Sequence, residues 1–143
     1  MALPVLDIHR PACLTGQTNG RLPATLLWST PGQAGGPTVR LVEPAARSWR
    51  AMTTAALAAG HTMKATSYGD SYRWYELQYM TFIARYEPDD FPGYIGSRWW
   101  PDHYDLQGRF VLGRTWYQTP DTGVAAVPGT SNHGLGLAVD VAG

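Results

Sequence analysis

The chain has a single cysteine, Cys13, and so can hold no disulfide of its own. No histidine is spaced to activate that thiol, which reads as a buried or partly buried free cysteine rather than a nucleophile. Neither charge is in excess, because 11 Lys and Arg balance 11 Asp and Glu. Nucleic-acid binders usually carry a basic surplus, so no nucleic-acid partner is expected. No apolar run is long enough for a membrane-spanning helix. Met1 to Arg10 lacks the basic-then-apolar pattern of a signal peptide. Repeats and low-complexity tracts are missing too. What is abundant is aromatic and loop-forming: six Trp and eight Tyr stand among 16 Gly and 11 Pro. Over 143 residues this suits one domain of class α+β. The expected architecture is a small, mainly antiparallel sheet with two packed helices and a long aromatic loop.

Residues 1–37 form a loop-rich strap, punctuated by proline and glycine. Within it, Ala24 to Ser29 reads as a short strand or one helical turn. His9 has no partner spaced to make it a metal ligand. Thr38 to Val42 reads as a strand, and Pro44 sits where a helix tolerates proline best. Apolar residues at Ala45, Trp49, Met52, Ala56 and Ala59 give a helical face, and Gly60 ends it. That face should bury Trp49 and Met52, and truncating a buried Trp costs roughly 3–5 kcal/mol. His61 reads as a helix-end cap. Thr62 to Tyr68 reads as a second strand, followed by a Gly69-Asp70 turn.

A second helix is expected from Ser71, as N-cap, with Tyr75, Tyr79, Phe82 and Tyr86 on one face. Arg73 lies at this strand-to-helix junction. It could clamp a substrate carboxylate or carbonyl, or pair with Asp70 or Glu76; position alone favours the ion pair. Residues 88–114 are a long loop carrying Trp99, Trp100 and His103. They read either as a lid or cleft wall that stacks on sugar rings or peptide planes, or as a satellite core. Phe110 to Tyr117 suits a strand.

The last thirteen residues, from Ser131, organise the rest. They hold one imidazole, His133, and one carboxylate, Asp140, both zinc-ligand types. Leu137 to Val141 reads as a strand. On a strand Asp140 shares its face with Ala138 and Gly136, while Leu137, Val139 and Val141 point into the core. Gly134 and Gly136 permit a tight turn that brings His133 over the Asp140 face.

The pattern Ser131-x-His133-x-x-Gly136-x-Ala138-x-Asp140 resembles the first zinc-binding signature of the hedgehog/D-Ala-D-Ala metallopeptidases. This family comprises D-alanyl-D-alanine carboxypeptidases and dipeptidases, and phage L-alanyl-D-glutamate endolysins. Ala45 to Gly60 is similar to its first helix. Thr66-Ser67-Tyr68 through Tyr72-Arg73 and Gln78 is similar to its S-x-Y-R-S…Q segment, with Gly69-Asp70-Ser71 departing from the compact form. The resemblance implies His133 and Asp140 as two of three ligands to a catalytic Zn2+. It implies Arg73 as the group that holds the oxyanion, with Ser131 and Gln78 at the substrate. The family's catalytic glutamate and third ligand lie in a later Glu-x-x-His segment, which does not follow Asp140 in this sequence.

Residues 1–143 are therefore expected to be a single peptidase-like domain, C-terminally incomplete. The implied activity is zinc-dependent cleavage of peptidoglycan stem peptides at D-Ala-D-Ala or L-Ala-D-Glu. It would act at the bacterial cell wall, as a phage lysin made in the cytoplasm would. The alternative is a non-catalytic wall or peptide-binding module on the same fold, and a weaker one is a structural phage or cell-surface component.

Overall fold

The computed structural model describes residues 10–33, 35–88, 116–119 and 121–142. His9, Trp99, Trp100, His103 and most of the long aromatic loop lie outside the described residues. The class is α+β. Two α-helices and six short strands are present among the described residues. The strands form three separate two-stranded antiparallel ladders rather than the single small sheet expected. No helix among the described residues is long and apolar enough to cross a membrane.

The first ladder pairs β1 (Leu27–Thr30) with β2 (Val39–Val42), Leu27 opposite Val42 and Thr30 opposite Val39. The chain enters β1 through one 3-10 turn at Ala24–Leu26, so both readings of that run are realised in succession. Helix α1 (Glu43–Ala58) follows β2 directly and packs over this ladder. Pro44 occupies its first turn, where no amide donor is needed. Gly60 adopts φ 82° and closes the helix: its amide reaches Leu57 and the His61 amide reaches Ala56. That is a Schellman end, so His61 contributes through its backbone.

The buried stripe of α1 is Ala46, Trp49 and Thr53. Met52 was expected inside but is 46% exposed. Packing over the ladder rotates the face by one residue from the apolar pattern. Trp49 joins Val39, Leu41, Ala46 and Ala65 in one core cluster.

Thr62 to Tyr68 forms only a two-residue strand, β3 (Lys64–Ala65), paired with β6 (Val141–Ala142). Tyr68–Asp70 turns as a 3-10 helix. Helix α2 spans Tyr75–Ile83, so it begins later than the expected Ser71, and Trp74 takes the N-cap position. It packs beside β4 (Tyr86–Pro88), which pairs with β5 (Trp116–Gln118). Phe82 stacks on Tyr86 at 4.5 Å and meets Trp116 edge-on, giving a second cluster with Val127. The two helices thus serve different ladders rather than packing as a pair.

A third cluster of Leu14, Leu22, Val42 and Tyr72 takes in Leu135 and Leu137. Cys13 is a half-buried thiol beside it, as its lone occurrence suggested.

Candidate functional site

Residues 137–140 are not a strand, contrary to expectation; the ladder starts at Val141. The Asp140 amide is taken by the Asp70 carbonyl at 2.8 Å, and its carbonyl accepts from the Thr66 amide at 3.1 Å. These bonds hold the Asp140 backbone to the segment before α2. The inward alternation survives in part: Leu137 and Val139 pack on the core clusters, but Val141 is 42% exposed.

His133 lies in a 3-10 turn, Asn132–Leu135, capped by Ser131, whose Oγ accepts from the His133 amide at 3.2 Å. Gly136 leaves this turn in the left-handed region at φ 63°, where a side chain is strained. The Val42 amide donates to the Gly136 carbonyl, which ties the turn to β2. Gly134 is buried, and a Cβ there would overlap Asn19 Oδ1 and Gln78 Nε2. Asn19 bonds the Ser131 carbonyl at 2.8 Å, and the Gly20 amide bonds the Gly134 carbonyl at 2.7 Å.

The imidazole is fixed from behind. Nδ1 lies 2.9 Å from the Ser71 carbonyl, which can only accept, so Nδ1 carries the proton. Ser71 was expected to cap a helix. Instead it is 1% exposed, and its Oγ accepts from the Arg40 amide. In the neutral ring Nε2 is then an acceptor, and it faces Asp140 Oδ1 at 3.4 Å. Two acceptors at that separation repel unless a proton or a cation lies between them.

Arg73 closes the other side. Its Nε donates to the Gly69 carbonyl at 3.0 Å; Nη2 reaches Asp70 Oδ1 at 3.1 Å and Asp140 Oδ2 at 3.4 Å. The ion pair with Asp70 is therefore made, and the same guanidinium also meets the Asp140 carboxylate. Nη1 has no partner among the described residues. Glu76, the other partner considered, pairs with Arg21 instead.

Gln78 is 3% exposed, and its amide is committed. Nε2 donates to the Arg73 carbonyl and Asn19 Oδ1, while Oε1 accepts from the Gly129 amide. It braces the wall rather than offering free donors to a ligand.

Arg73, Gln78, Ser131, His133 and Asp140 converge on one cavity of about 310 Å3. Asp70, Thr81, Arg85 and Val124 to Ala126 complete its lining. Chain order concealed most of these. Asn19 meets Ser131 across 112 positions, and Ser71 acts through a carbonyl that every residue type carries.

Comparison with family models, with curated proteins and with solved structures gives no match to this chain. The chemistry therefore has to be read from the donors. His133 Nε2 and the Asp140 carboxylate fit zinc, and a carbonyl behind the histidine is the usual partner of a metal-binding imidazole. Among the described residues, no group of three His, Cys, Asp or Glu side chains could hold a metal ion.

Proposed function

We propose that this chain belongs to a zinc-dependent peptidase of the hedgehog/D-Ala-D-Ala type, acting on peptidoglycan stem peptides at the bacterial cell wall, and supplies part of its metal site. The bond cut would be D-Ala-D-Ala or L-Ala-D-Glu. The observation that carries this reading is the His133–Asp140 pair: two acceptors 3.4 Å apart, in a cavity beside an arginine whose Nη1 has no partner among the described residues. His133 and Asp140 would hold the metal, with a third donor from outside the described residues. Bound there, zinc would supply Lewis acidity for polarising an amide and acidifying a water. Arg73 would present Nη1 to the developing oxyanion, already oriented by Gly69 and Asp70. The Ser131 hydroxyl proton would remain free for the peptide, because its oxygen serves the His133 amide. Gln78 would keep Arg73 and Asn19 in place.

The test is incubation of the full-length protein with purified peptidoglycan and zinc, followed by mass spectrometry of the muropeptides. Shortened stem peptides are expected, lost with chelator and with His133→Ala. Unchanged muropeptides in every arm would sink the peptidase reading. One observation favours the alternative of a non-catalytic binding module. Arg73 Nη2 lies 3.4 Å from Asp140 Oδ2, so the carboxylate has a cationic partner without any metal. On that reading the chain sediments with peptidoglycan, and neither chelator nor Asp140→Ala releases it.

A further inference from the structure

The cavity contains a second arginine that the proposed chemistry does not use. Arg85 follows α2, and Gln78, Thr81 and Arg85 recur at helical spacing along the wall that α2 builds. The Arg85 backbone is firmly placed. Its amide donates to Phe82, and its carbonyl accepts from the Thr119 amide, Thr119 Oγ1 and Thr122 Oγ1. Among the described residues the side chain makes one bond, from Nη1 to the Val124 carbonyl at 2.9 Å. No carboxylate among the described residues pairs with it.

The contrast with Arg73 is chemical. Arg73 is 15% exposed and lies between two aspartates, so its charge is balanced within the protein. Arg85 lines the same cavity with no carboxylate partner among the described residues. A guanidinium stays protonated at any working pH, and its planar fork matches a carboxylate. Asp70 and Asp140 make the Arg73 side of the cavity negative, and Arg85 makes its own side positive. Arg73 and Arg85 bracket α2, whose nine residues span about 13 Å. At about 3.4 Å per extended residue, that length suits a few peptide units.

Building on the peptidase reading, we propose that Arg85 is the carboxylate anchor of this site. It selects peptides that carry a free carboxylate a short distance from the bond presented to Arg73, His133 and Asp140. A stem peptide offers two such groups, the α-carboxylate of a D-Glu joined through its side chain and the terminal carboxylate. Both place the same anion before the same fork.

The test is calorimetric binding to the whole chain of a synthetic stem pentapeptide bearing both carboxylates. Two partner peptides carry an amide in place of one carboxylate or the other. Arg85→Met should weaken the parent peptide about 10- to 100-fold, and Arg85→Lys less. One amidated peptide should bind wild type as weakly as the parent binds Arg85→Met, and should be indifferent to the substitution. The identity of that peptide names the carboxylate. A purely structural role for Arg85 would weaken all three peptides alike, and that result overturns the anchor. Equal affinity of wild type and Arg85→Met for the parent, or no binding to wild type, overturns it too. Cleavage of the parent peptide with no dependence on Arg85 removes the anchor and keeps the peptidase. Arg85-dependent binding without cleavage does the reverse.

Discussion

The imidazole half of the site and the carboxylate half are built differently. The His133 side chain is 13% exposed; the Asp140 side chain is 57% exposed. His133 is held by Ser71 behind its ring, by Ser131 at its amide, and by the Arg73 amide at its carbonyl. Its neighbour Gly134 is enclosed by Asn19, Gly20 and Gln78. Asp140 is anchored chiefly by its backbone, and its carboxylate lines the cavity with one contact, to Arg73 Nη2 at 3.4 Å, besides the facing imidazole. One half is continuous with the core, and the other is hung from it. Stability and chemistry should therefore separate: damage to the first half unfolds, and damage to the second half disarms.

The strongest test of this division is Gly134→Ala. The new Cβ would overlap Asn19 Oδ1 and Gln78 Nε2, which bond each other in a network where Gln78 is buried and Asn19 half-buried. Moving either group leaves buried polar atoms unpaired, so a loss of about 2–3 kcal/mol is expected in urea unfolding, with the slope unchanged. A loss below about 0.5 kcal/mol would show that the imidazole half is looser than its packing indicates.

Asp140→Ala should do much less to stability. Arg73 keeps its Asp70 partner, and the bonds that fix residue 140 are to its backbone. A change under about 1 kcal/mol is expected. If the proposed metal site is right, zinc affinity measured by titration calorimetry should still fall about tenfold or more, because a proposed donor is gone. A variant as unstable as Gly134→Ala would erase the distinction between the halves. One that binds zinc as tightly as wild type would remove Asp140 from the ligand set.

The same division explains what could be read from the chain. Helix α1 was legible because its start, stripe and stop are local: Pro44, the apolar spacing and Gly60 lie within eighteen residues. Even there the buried residue was Thr53 and not Met52, since the partner ladder decides which face turns inward. The meeting of His133 with Asp140 was legible from residue types and the intervening glycines. The strand expected around them was not formed: the Thr66 amide still meets the Asp140 carbonyl in the β3–β6 register, but the Asp140 amide goes to the Asp70 carbonyl instead of back to Thr66. The supports of the imidazole were out of reach. They are a serine carbonyl, and an asparagine and glycine more than a hundred positions away. Arg85 carries no motif and gains meaning only from the cavity it lines.

The smallest expected effect concerns how the segment carrying Asn19 and Gly20 is attached. It meets α2 through the Tyr75 amide on the Gly20 carbonyl and through an Arg21–Glu76 ion pair at 2.5 Å. Both charged side chains are more than half exposed, 54% and 56%, so the pair should add little. The Glu76 carboxyl is held below its usual 4.5, chiefly by its own backbone amide at the start of α2 and further by Arg21. A lowered folded value means that its contribution is complete above the unfolded value of 4.5 and disappears as pH falls through the folded one. Glu76→Gln should accordingly be slightly less stable than wild type at neutral pH, and the two should converge on acidification below 4.5. Arg21 would stay on the Tyr75 ring, 5.2 Å from its centre. Hydrogen exchange at the Gly20 amide, which donates to the Gly134 carbonyl, should be unchanged in the variant. Faster exchange there would mean that a surface charge pair, and not the backbone, carries Asn19 and Gly20 to the imidazole half. That half would then share the pH dependence of the Glu76 pair.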